Sequence, residues 1–294
     1  DFDSGWDYSY HHNLFDNILD IYFNVDNILN HINAYSQGYG FVTGPVNYIE
    51  SHDESRLIYQ STEFQNHSLE DAYKRSKVGA SILFTSHGVP MIYQGQEFAQ
   101  NAPHRDQGGF PIRQPLQWDN LDSDLVLELN NHYKALISLR HQYDVLKEPP
   151  MEIKYSNNSD KVISYWRVLN DQKVIVIVNL DTNTHYIDVE FPNAGEWTNI
   201  LDNEEINIES NWYGGFELEP LTSYIFVPSV DSQCVLGDIN QDSIINVIDI
   251  VSMVNYILLG TGLEANQICA ADLNSDNIIN VIDIVSIVNI ILNQ

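Results

Sequence analysis

The sequence predicts a chain built from three different parts, each indicated by its own pattern. Residues 1–146 alternate helix-like and strand-like segments, which is typical of a parallel sheet with crossover helices. Residues 147–227 contain closely spaced strands of alternating polarity without helices, which predicts an antiparallel β-sandwich. Residues 235–294 repeat one loop–helix unit, and the polar residues 228–234 form a linker before it.

Charge restricts the partners of the chain. Its 294 residues include 41 acidic and 13 basic side chains, which give a formal net charge of -28. This charge repels nucleic acid phosphates and anionic lipid surfaces, so we expect no nucleic acid partner. Neutral glycans, metal cations and basic protein patches are the favoured partners. No apolar run approaches the roughly 20 residues of a membrane helix, so we also expect no membrane span.

The first part contains the strand, helix, strand order of a parallel crossover unit. A strand-like segment covers 41–50, Ser68 and Asp71 form a capping box that begins a helix, and the strand 91–93 follows. Such units build either an open doubly wound sheet or a barrel. A final helix begins near residue 124, and we expect it to bury Leu125, Leu129, Leu136, Leu139 and Tyr143.

Polar residues follow two of these strands. His52 and Asp53 come after the first, and residues 94–97 come after the second. In both candidate architectures ligands lie at the carboxyl ends of the strands. We therefore expect these residues to share one face of the sheet.

Three tryptophans of the predicted sandwich could stack on sugars. A single indole in each strand is more typical of core packing. We therefore expect all three to be buried: Trp166, Trp197 and Trp212.

The C-terminal part contains a duplicated acidic loop followed by a helix. The first copy begins DINQDSIINVIDIVS at 238 and the second begins DLNSDNIINVIDIVS at 272. Acidic or amide side chains stand at loop positions 1, 3, 5, 9 and 12, and position 7 offers a backbone carbonyl, which is an oxygen set suited to Ca²⁺. We therefore predict two calcium ions. Their ligands are Asp238, Asn240, Asp242, Ile244, Asn246 and Asp249, and Asp272, Asn274, Asp276, Ile278, Asn280 and Asp283.

Apolar side chains after each loop follow a helical period. One such helix cannot bury its apolar stripe alone, so the two helices should pack on each other. The predicted stripes are Ile250, Val251, Val254, Ile257 and Leu258, and Ile284, Val285, Val288, Ile291 and Leu292.

The two cysteines each lie just before one of the loops. Cys234 precedes the first loop and Cys269 precedes the second. A disulfide between these equivalent points and two separate buried thiols are the alternatives.

Segments of the first part resemble the alpha-amylase superfamily, glycoside hydrolase family 13. NYIESHDESR at 47–56 resembles the family's fourth sequence region, in which a His-Asp pair follows strand seven of a (β/α)8 barrel. GVPMIYQGQEF at 88–98 resembles the eighth strand and its turn, RQPLQW at 113–118 resembles the loop beyond, and YKALISLRHQY at 133–143 resembles the last barrel helix. The resemblance implies that 1–146 is the C-terminal part of a (β/α)8 TIM barrel, followed by the family's β-sandwich.

The resemblance also implies roles in binding an α-glucan such as starch or glycogen. Asp53 matches the family's carboxylate that stabilises the oxocarbenium-like transition state, and His52 matches the residue that binds the sugar at the cleavage subsite. We interpret Glu50 and Glu54 as members of surface ion pairs.

The two carboxyl groups that cleave the bond in a retaining enzyme lie about 5 Å apart. In the family they follow strands four and five. Counting back from strand seven places DFDSGWDYSYHH near strand six, so both groups should precede Asp1. We therefore expect the chain alone to be inactive. The first residues, DFDSGWD, include neither a methionine nor a leader, which agrees with an origin inside a longer polypeptide.

The paired loop–helix units of 235–294 resemble a dockerin, the calcium-dependent module that binds cohesin domains on a scaffold or cell surface. The resemblance implies a cohesin-like partner and an extracellular protein, secreted or attached to a cell surface. Apolar residues stand where cellulosomal dockerins often carry Ser or Thr specificity residues, namely Val247, Ile248, Val281 and Ile282.

Together these resemblances imply the C-terminal fragment of a secreted α-glucan hydrolase or transglycosylase that is anchored through a dockerin. The alternative is a noncatalytic, calcium-dependent adhesion or assembly module that binds glucan. A third hypothesis, an open α/β enzyme of other chemistry, is disfavoured by the RQPLQW loop and the sandwich.

Overall fold

The computed structural model describes residues 4–106, 109–113, 115–229, 235–240, 242, 244–260, 263, 265–274, 276 and 278–292. These residues form two compact units that divide between Pro228 and Ser229.

The first unit begins with three short strands that alternate with helices. The strands lie in the order β1-β2-β3 and pair in parallel, with Trp6 opposite Val46 and Val46 opposite Val89. This arrangement confirms the predicted parallel crossover. The elements are β1 (Gly5–Trp6), α1 (Tyr8–Ile18), α2 (Val25–His31), β2 (Pro45–Tyr48), α3 (Leu57–Tyr59), α4 (Leu69–Thr85), β3 (Val89–Met91) and α5 (Asp124–Gln142). Single helical turns cover Gln60–Phe64, Gln96–Phe98, Trp118–Asp122 and Asp144–Lys147.

Side-chain caps fix where the helices begin. Asp7 accepts a hydrogen bond from the Tyr10 amide at 2.9 Å and begins α1. Ser68 accepts one from the Asp71 amide at 3.0 Å and begins α4, as predicted. These caps satisfy amides that have no partner inside the helix.

The buried face of α5 is shifted by one residue from the prediction. Leu125 is exposed and Val126 is buried in its place. Val126 lies three residues before Leu129, so it shares the core-facing stripe, whereas Leu125 lies beside that stripe. The buried set is Val126, Leu129, Tyr133, Leu136 and Leu139, and Tyr143 is partly buried.

The rest of the first unit is an antiparallel β-domain. A six-stranded sheet has the order β4-β5-β6-β11-β8-β9, and a two-stranded sheet pairs β10 with β7. The strands are β4 (Glu152–Asn157), β5 (Val162–Leu169), β6 (Gln172–Asn179), β7 (His185–Glu190), β8 (Gly195–Asn199), β9 (Glu205–Ile208), β10 (Trp212–Leu218) and β11 (Thr222–Pro228).

Strand β6 explains why this domain shares a core with the helices. Its sequence KVIVIVN is apolar on both faces, as expected for a strand that is covered on both sides. Val176 belongs to the core that includes α4 and α5, and Ile177 belongs to the core between the two β-sheets. The six-stranded sheet therefore packs on helices with one face and on the small sheet with the other.

The three tryptophans of the β-domain have different environments. Trp197 is fully buried, as predicted, and Trp166 is partly buried with the Lys154 ammonium 3.8 Å from its ring centroid. Trp212 is exposed, so its predicted core position is wrong. It begins β10 in the two-stranded sheet, which has no further described strand beside it.

Two arginines hold the C-terminal end of α4. Arg140 donates hydrogen bonds to the carbonyls of Phe84, Ser86 and Gly88 at 2.6–3.2 Å. Arg167, which lies on β5 and is fully buried, donates to the carbonyls of Thr85, Val145, Glu148 and Pro150 at 2.6–2.9 Å. The last carbonyls of a helix lack internal partners and carry partial negative charge, so both cations satisfy and stabilise this end.

The second unit is a pair of loop–helix repeats joined by a short helix. Its helices are α6 (Val247–Leu259), α7 (Ala265–Ala271) and α8 (Val281–Leu292). α6 and α8 share a core, as predicted, with Met253 and Ile287 at its centre. The stripes are narrower than predicted, because four of their members are more than half exposed: Val251, Leu258, Val285 and Leu292.

Two further expectations concern the cysteines and the predicted linker. Cys269 is disulfide-bonded, and Cys234 lies outside the described residues. Most of the predicted linker, residues 230–234, also lies outside them. Across the helices that the structure describes, every one is too short or too polar to cross a bilayer.

Replacement of Arg167 tests the connection between α4 and the β-domain. We expect Arg167→Ala to lower the free energy of unfolding of the first unit by about 3 kcal/mol or more, because it leaves buried carbonyls unpaired. Urea unfolding followed by tryptophan fluorescence measures this unit alone, since all five tryptophans precede residue 229. The exposed Arg113→Ala should change it by less than about 0.5 kcal/mol. A loss below about 1 kcal/mol for Arg167→Ala would contradict this role.

Candidate active-site face and calcium loops

The carboxyl ends of β1, β2 and β3 define one face of the first unit. Asp7 follows β1, the segment 49–56 follows β2, and the segment 92–98 follows β3. Adjacent parallel strands bring their carboxyl ends to the same edge of the sheet. The predicted sharing of one face by His52, Asp53 and residues 94–97 agrees with this topology.

His52 and Asp53 lie at the tip of the loop after β2. Their side chains are 64% and 53% exposed, and His52 Nε2 is 3.4 Å from Asp53 Oδ1. The Asp53 amide donates to Ser51 Oγ at 3.2 Å, which turns the chain at this point. Both side chains therefore present polar atoms to solvent and could reach a ligand.

Beneath this tip lies a buried ion pair. Arg56 Nη1 donates to Glu50 Oε2 at 2.9 Å, and the two side chains are 0% and 3% exposed. Glu50 Oε1 also accepts from the Leu57 amide at 2.8 Å. Burial raises the pKa of Glu50, while the charge and hydrogen bond of Arg56 oppose that rise. The interpretation of Glu50 as a surface residue is therefore wrong, because its partner is an arginine inside the protein.

Arg56 also connects the loop to the segment after β3. Its Nη2 donates to the Gln94 carbonyl at 3.1 Å, and its guanidinium carbon lies 3.9 Å from the Tyr93 ring centroid. Its own amide donates to the Ala102 carbonyl at 3.0 Å. Residues 50 and 56 are thus both fixed, and His52 and Asp53 lie between them.

Aromatic side chains pack below and beside the tip. The His11 ring stacks on Tyr48 with centroids 4.8 Å apart, and Trp6 lies 5.4 Å from the same tyrosine. Burial lowers the pKa of His11 to about 4, so this histidine is neutral at pH 7. Burial and the nearby Tyr8, Glu54, Asp53 and Asp7 raise the pKa of Tyr48 to about 12, so its hydroxyl stays protonated.

Glu54 is partly exposed on the same loop. Its Oε1 lies 4.0 Å from His11 Nε2, and its side chain is 36% exposed. Because His11 is neutral at pH 7, this contact is not an ion pair at that pH. The contact with His11 therefore does not supply the surface ion pair that we predicted for Glu54.

The two acidic loops of the second unit have matching conformations. Asp238 Oδ1 accepts from the Asp242 amide at 3.0 Å in the first loop, and Asp272 Oδ1 accepts from the Asp276 amide at 3.1 Å in the second. A second contact repeats in the same way: the side-chain amide of the asparagine at position 9 donates to the backbone carbonyl at position 7, at 3.0 Å from Asn246 to Ile244 and at 2.9 Å from Asn280 to Ile278. The duplication in sequence is therefore also a duplication in structure.

The carboxylates at position 12 anchor each loop to its helix. Asp249 accepts from the amides of Asn240 and Asn246 at 3.0 and 2.8 Å, and it is fully buried. Asp283 is also fully buried and accepts from the Asn280 amide at 2.9 Å. Buried carboxylates within a loop of further oxygen donors fit a hard cation such as Ca²⁺.

The oxygen atoms proposed to bind Ca²⁺ in the two loops belong to different chemical groups. Among the described side chains, no three from His, Cys, Asp and Glu lie together as a metal site. The assignment therefore depends on carboxylate, amide and backbone carbonyl oxygens acting together.

Several features of this face escaped sequence reasoning. The buried pair joins residues on opposite sides of a loop, and neither strand nor helix periodicity connects such positions. A signal existed in the segment ESHDESR, which has an acid just after the strand and a single arginine at the far end of the loop, since such a pair can close a loop. Trp6 was also not identified, because its contact with His52 comes from another strand.

Known families match almost the whole chain. The family described as "Alpha amylase, catalytic domain" matches residues 7–148, and "Alpha amylase, C-terminal all-beta domain" matches 153–234. "Dockerin type I domain" matches 236–292. Type I dockerin domains bind calcium.

Curated relatives agree with the first of these families. The chain is 26% identical over 163 residues to an alpha-amylase of Haloarcula japonica, and the match covers 53% of this chain and 21% of the relative. It is 28% identical over 140 residues to a cyclomaltodextrinase of a Bacillus species, and that match covers 47% of this chain and 22% of the relative. The chain thus spans about a fifth of the length of these relatives.

A solved structure shows the same fold. The structure of a protein described as gamma-CGTase from alkalophilic Bacillus clarkii superimposes with a TM-score of 0.61 at 19% identity, over 77% of this chain and 32% of that one. With the buried core, the parallel strands and the paired loops described above, these matches show that the chain belongs to the alpha-amylase family and carries a type I dockerin domain after the family's all-beta domain.

Proposed function

We propose that this chain forms part of a glycoside hydrolase or transglycosylase that acts on α-glucans with a retaining mechanism. The observation that carries the proposal is the exposed His52–Asp53 pair on the carboxyl face of three parallel strands, in a chain of the alpha-amylase family. The names of the curated relatives, an alpha-amylase and a cyclomaltodextrinase, support an α-glucan as the substrate class.

Asp53 is the carboxylate that we assign to transition-state stabilisation. Its side chain is exposed at the loop tip, whereas Glu50 is neutralised by Arg56 below it. A fixed carboxylate can bind sugar hydroxyls and offset the positive charge that develops on an oxocarbenium-like ring. His52 lies beside Asp53 and forms a hydrogen bond with the same sugar.

The attacking and proton-donating carboxyl groups belong, in this proposal, to barrel strands outside the 294 residues. A retaining enzyme places these two groups about 5 Å apart on either side of the bond. The strands of a (β/α)8 barrel number eight, and the part of the chain described here contributes three. The chain alone should therefore bind α-glucan but not cleave it.

The second unit attaches the enzyme to a partner. We propose that its two loops hold one Ca²⁺ each, and that the helices bind a cohesin-like domain. Each loop would hold the ion through the side chains at positions 1, 3, 5, 9 and 12 and the carbonyl of Ile244 or Ile278. A cohesin partner implies an extracellular protein, secreted or attached to a cell surface.

Activity measurements test the assignment of Asp53. In a protein that also contains the remaining barrel strands, we expect Asp53→Asn to lower kcat/KM on soluble starch by roughly 10²–10³, because it removes charge that matters in the transition state. Asp188→Asn on the β-domain should leave the rate unchanged and serves as the control. Near-normal activity of Asp53→Asn would remove this residue from the site. Release of reducing ends from amylose by the 294-residue chain alone would show that the acid and nucleophile lie within it.

Calcium titration tests the two loops separately. By calorimetry, we expect the chain to bind two ions, and Asp242→Ala or Asp276→Ala each to abolish one, because each removes a charged ligand at position 5 of its loop. The double variant should bind none, whereas Asp202→Ala on the β-domain should still bind two. Two ions bound by the double variant would refute these ligand sets, and a single ion bound by the unmodified chain would refute the proposed number.

A further inference from the structure

The two-stranded sheet of the β-domain presents two large exposed rings to solvent. Ile187 and Val189 of β7 and Phe216 of β10 point into the core between the two sheets, so the residues that alternate with them point outward. Trp212 and Tyr186 are 56% and 65% exposed on that side. We define the outer face by the residues of both strands that lie on it: Tyr186, Asp188, Glu190, Trp212, Gly214 and Glu217.

The outer face is separated from the parallel strands by a layer of helices and a sheet. Gly79 of α4 faces Ile49, which follows β2, whereas Ser81 Oγ of the same helix lies 2.7 Å from Ser223 Oγ on β11. The helix therefore lies between the parallel strands and the six-stranded sheet, and the two-stranded sheet packs on the far side of the six-stranded one. Further barrel strands next to β1 or β3 would lie on the opposite side of these layers and would leave the outer face exposed.

Charged groups with fixed positions lie beside Trp212. Glu190 is its directly opposite partner on β7, so the two side chains share one side of the sheet with Cβ atoms about 5 Å apart. Lys154 Nζ lies 2.8 Å from Glu190 Oε2 and 2.8 Å from Glu152 Oε1. The same ammonium lies 3.8 Å from the Trp166 ring centroid. The exposed indole thus has an ammonium donor and carboxylate acceptors next to it, and their mutual contacts hold them in place.

A glycine bulge lies between Trp212 and Tyr186. Asp188 Oδ1 accepts from the Gly215 amide at 2.9 Å and holds the bulge, where two consecutive glycines add no side chain to the outer face. Trp212 pairs with the residue four positions after Tyr186, which puts the two backbone positions about 13 Å apart along β7. Glu217 lies opposite Tyr186, and its charge raises the pKa of the tyrosine hydroxyl. Each ring therefore has a carboxylate beside it, and the strip between the rings is flat.

These features select a neutral polymer that carries many hydroxyls. A pyranose can pack the C–H groups of its face on an aromatic ring while the hydroxyls at its rim bond to charged donors and acceptors. The carboxylates disfavour an anionic ligand. A basic segment would have to compete with Lys154, which already pairs with Glu190. Because the rings are several sugar widths apart, the outer face fits a chain of sugars better than a single one.

We propose that the outer face binds an α-glucan chain, with sugars stacked on Trp212 and Tyr186. It forms a second site, separate from the loop tip that carries His52 and Asp53. This inference rests on the proposed function, which supplies α-glucan as the class of ligand. The ammonium and carboxylate beside Trp212 bind hydroxyls of the sugar that stacks on its ring. The second site holds the polymer and takes no part in cleavage of the glycosidic bond.

Calorimetric titration of the full 294-residue chain with maltoheptaose, up to millimolar concentration, tests the second site. Asp53→Asn weakens the site at the loop tip, so the binding that remains in this variant reports on the outer face. In that background we expect Trp212→Ala to weaken binding about tenfold and Trp212→Phe, which keeps an aromatic ring, to weaken it less than about threefold. Tyr22→Ala, which removes an exposed ring from the loop after α1, should not change binding.

The results separate this proposal from the proposed function. If Trp212→Ala and Tyr186→Ala bind as tightly as the unmodified chain while Asp53→Asn binds more weakly, the second site is wrong and the proposed function stands. If Trp212→Ala weakens binding and Asp53→Asn does not, the second site is supported and Asp53 loses its proposed role. An unmodified chain that binds no maltoheptaose would overturn both proposals.

Other occupants of the outer face give different results. Binding of a lysine-rich peptide that depends on Trp212, without any effect of Trp212→Ala on maltoheptaose, would assign the face to a basic protein and overturn the proposal. A dimer in sedimentation velocity that Trp212→Ala dissociates, again with unchanged sugar binding, would assign it to a second copy of the chain and also overturn the proposal. Thermal unfolding of each variant shows whether the fold is retained. Trp212→Phe and Tyr186→Ala keep the test valid if Trp212→Ala unfolds.

Discussion

The buried ion pair between Glu50 and Arg56 is the constraint on which the candidate site depends. Removing two charges from water costs several kcal/mol for each ion, and that cost is offset only when the charges pair in good geometry and their remaining polar atoms find partners. Here Glu50 also accepts the Leu57 amide, and Arg56 also donates to the Gln94 carbonyl. The pair therefore tolerates few alternative arrangements of the loop between its two members.

This ion pair explains how exposed side chains at the tip of the loop after β2 can have a defined position. His52 and Asp53 have more than half of their side-chain surface in solvent, and side chains of that kind are normally free to move. Their backbone, however, lies between two buried anchors, and Arg56 additionally contacts the segment after β3. The two side chains are thus held on a rigid support without being buried, which the proposed function requires of groups that bind a sugar.

Much of the fold could be predicted because short sequence patterns determine it. Strand alternation, the Ser68 cap and the duplicated loops are each visible within a short window, and the structure contains all three. Features that depend on contacts between distant segments could not be predicted. Trp212 is exposed because no described strand lies beside its two-stranded sheet. Leu125 is exposed because Val126 occupies the buried stripe of α5 instead. The burial of Glu50 likewise depends on an arginine across a loop, and no periodicity predicts it.

Amide hydrogen exchange of the loop after β2 tests the central claim most directly. Mass spectrometry can compare a peptide covering residues 50–57 in the unmodified chain and in Arg56→Gln. If the ion pair holds the loop, exchange in this peptide should accelerate about tenfold or more, while peptides from the β-domain exchange as before. Unchanged exchange in residues 50–57, or an equal acceleration throughout the first unit, would show that the ion pair does not position His52 and Asp53.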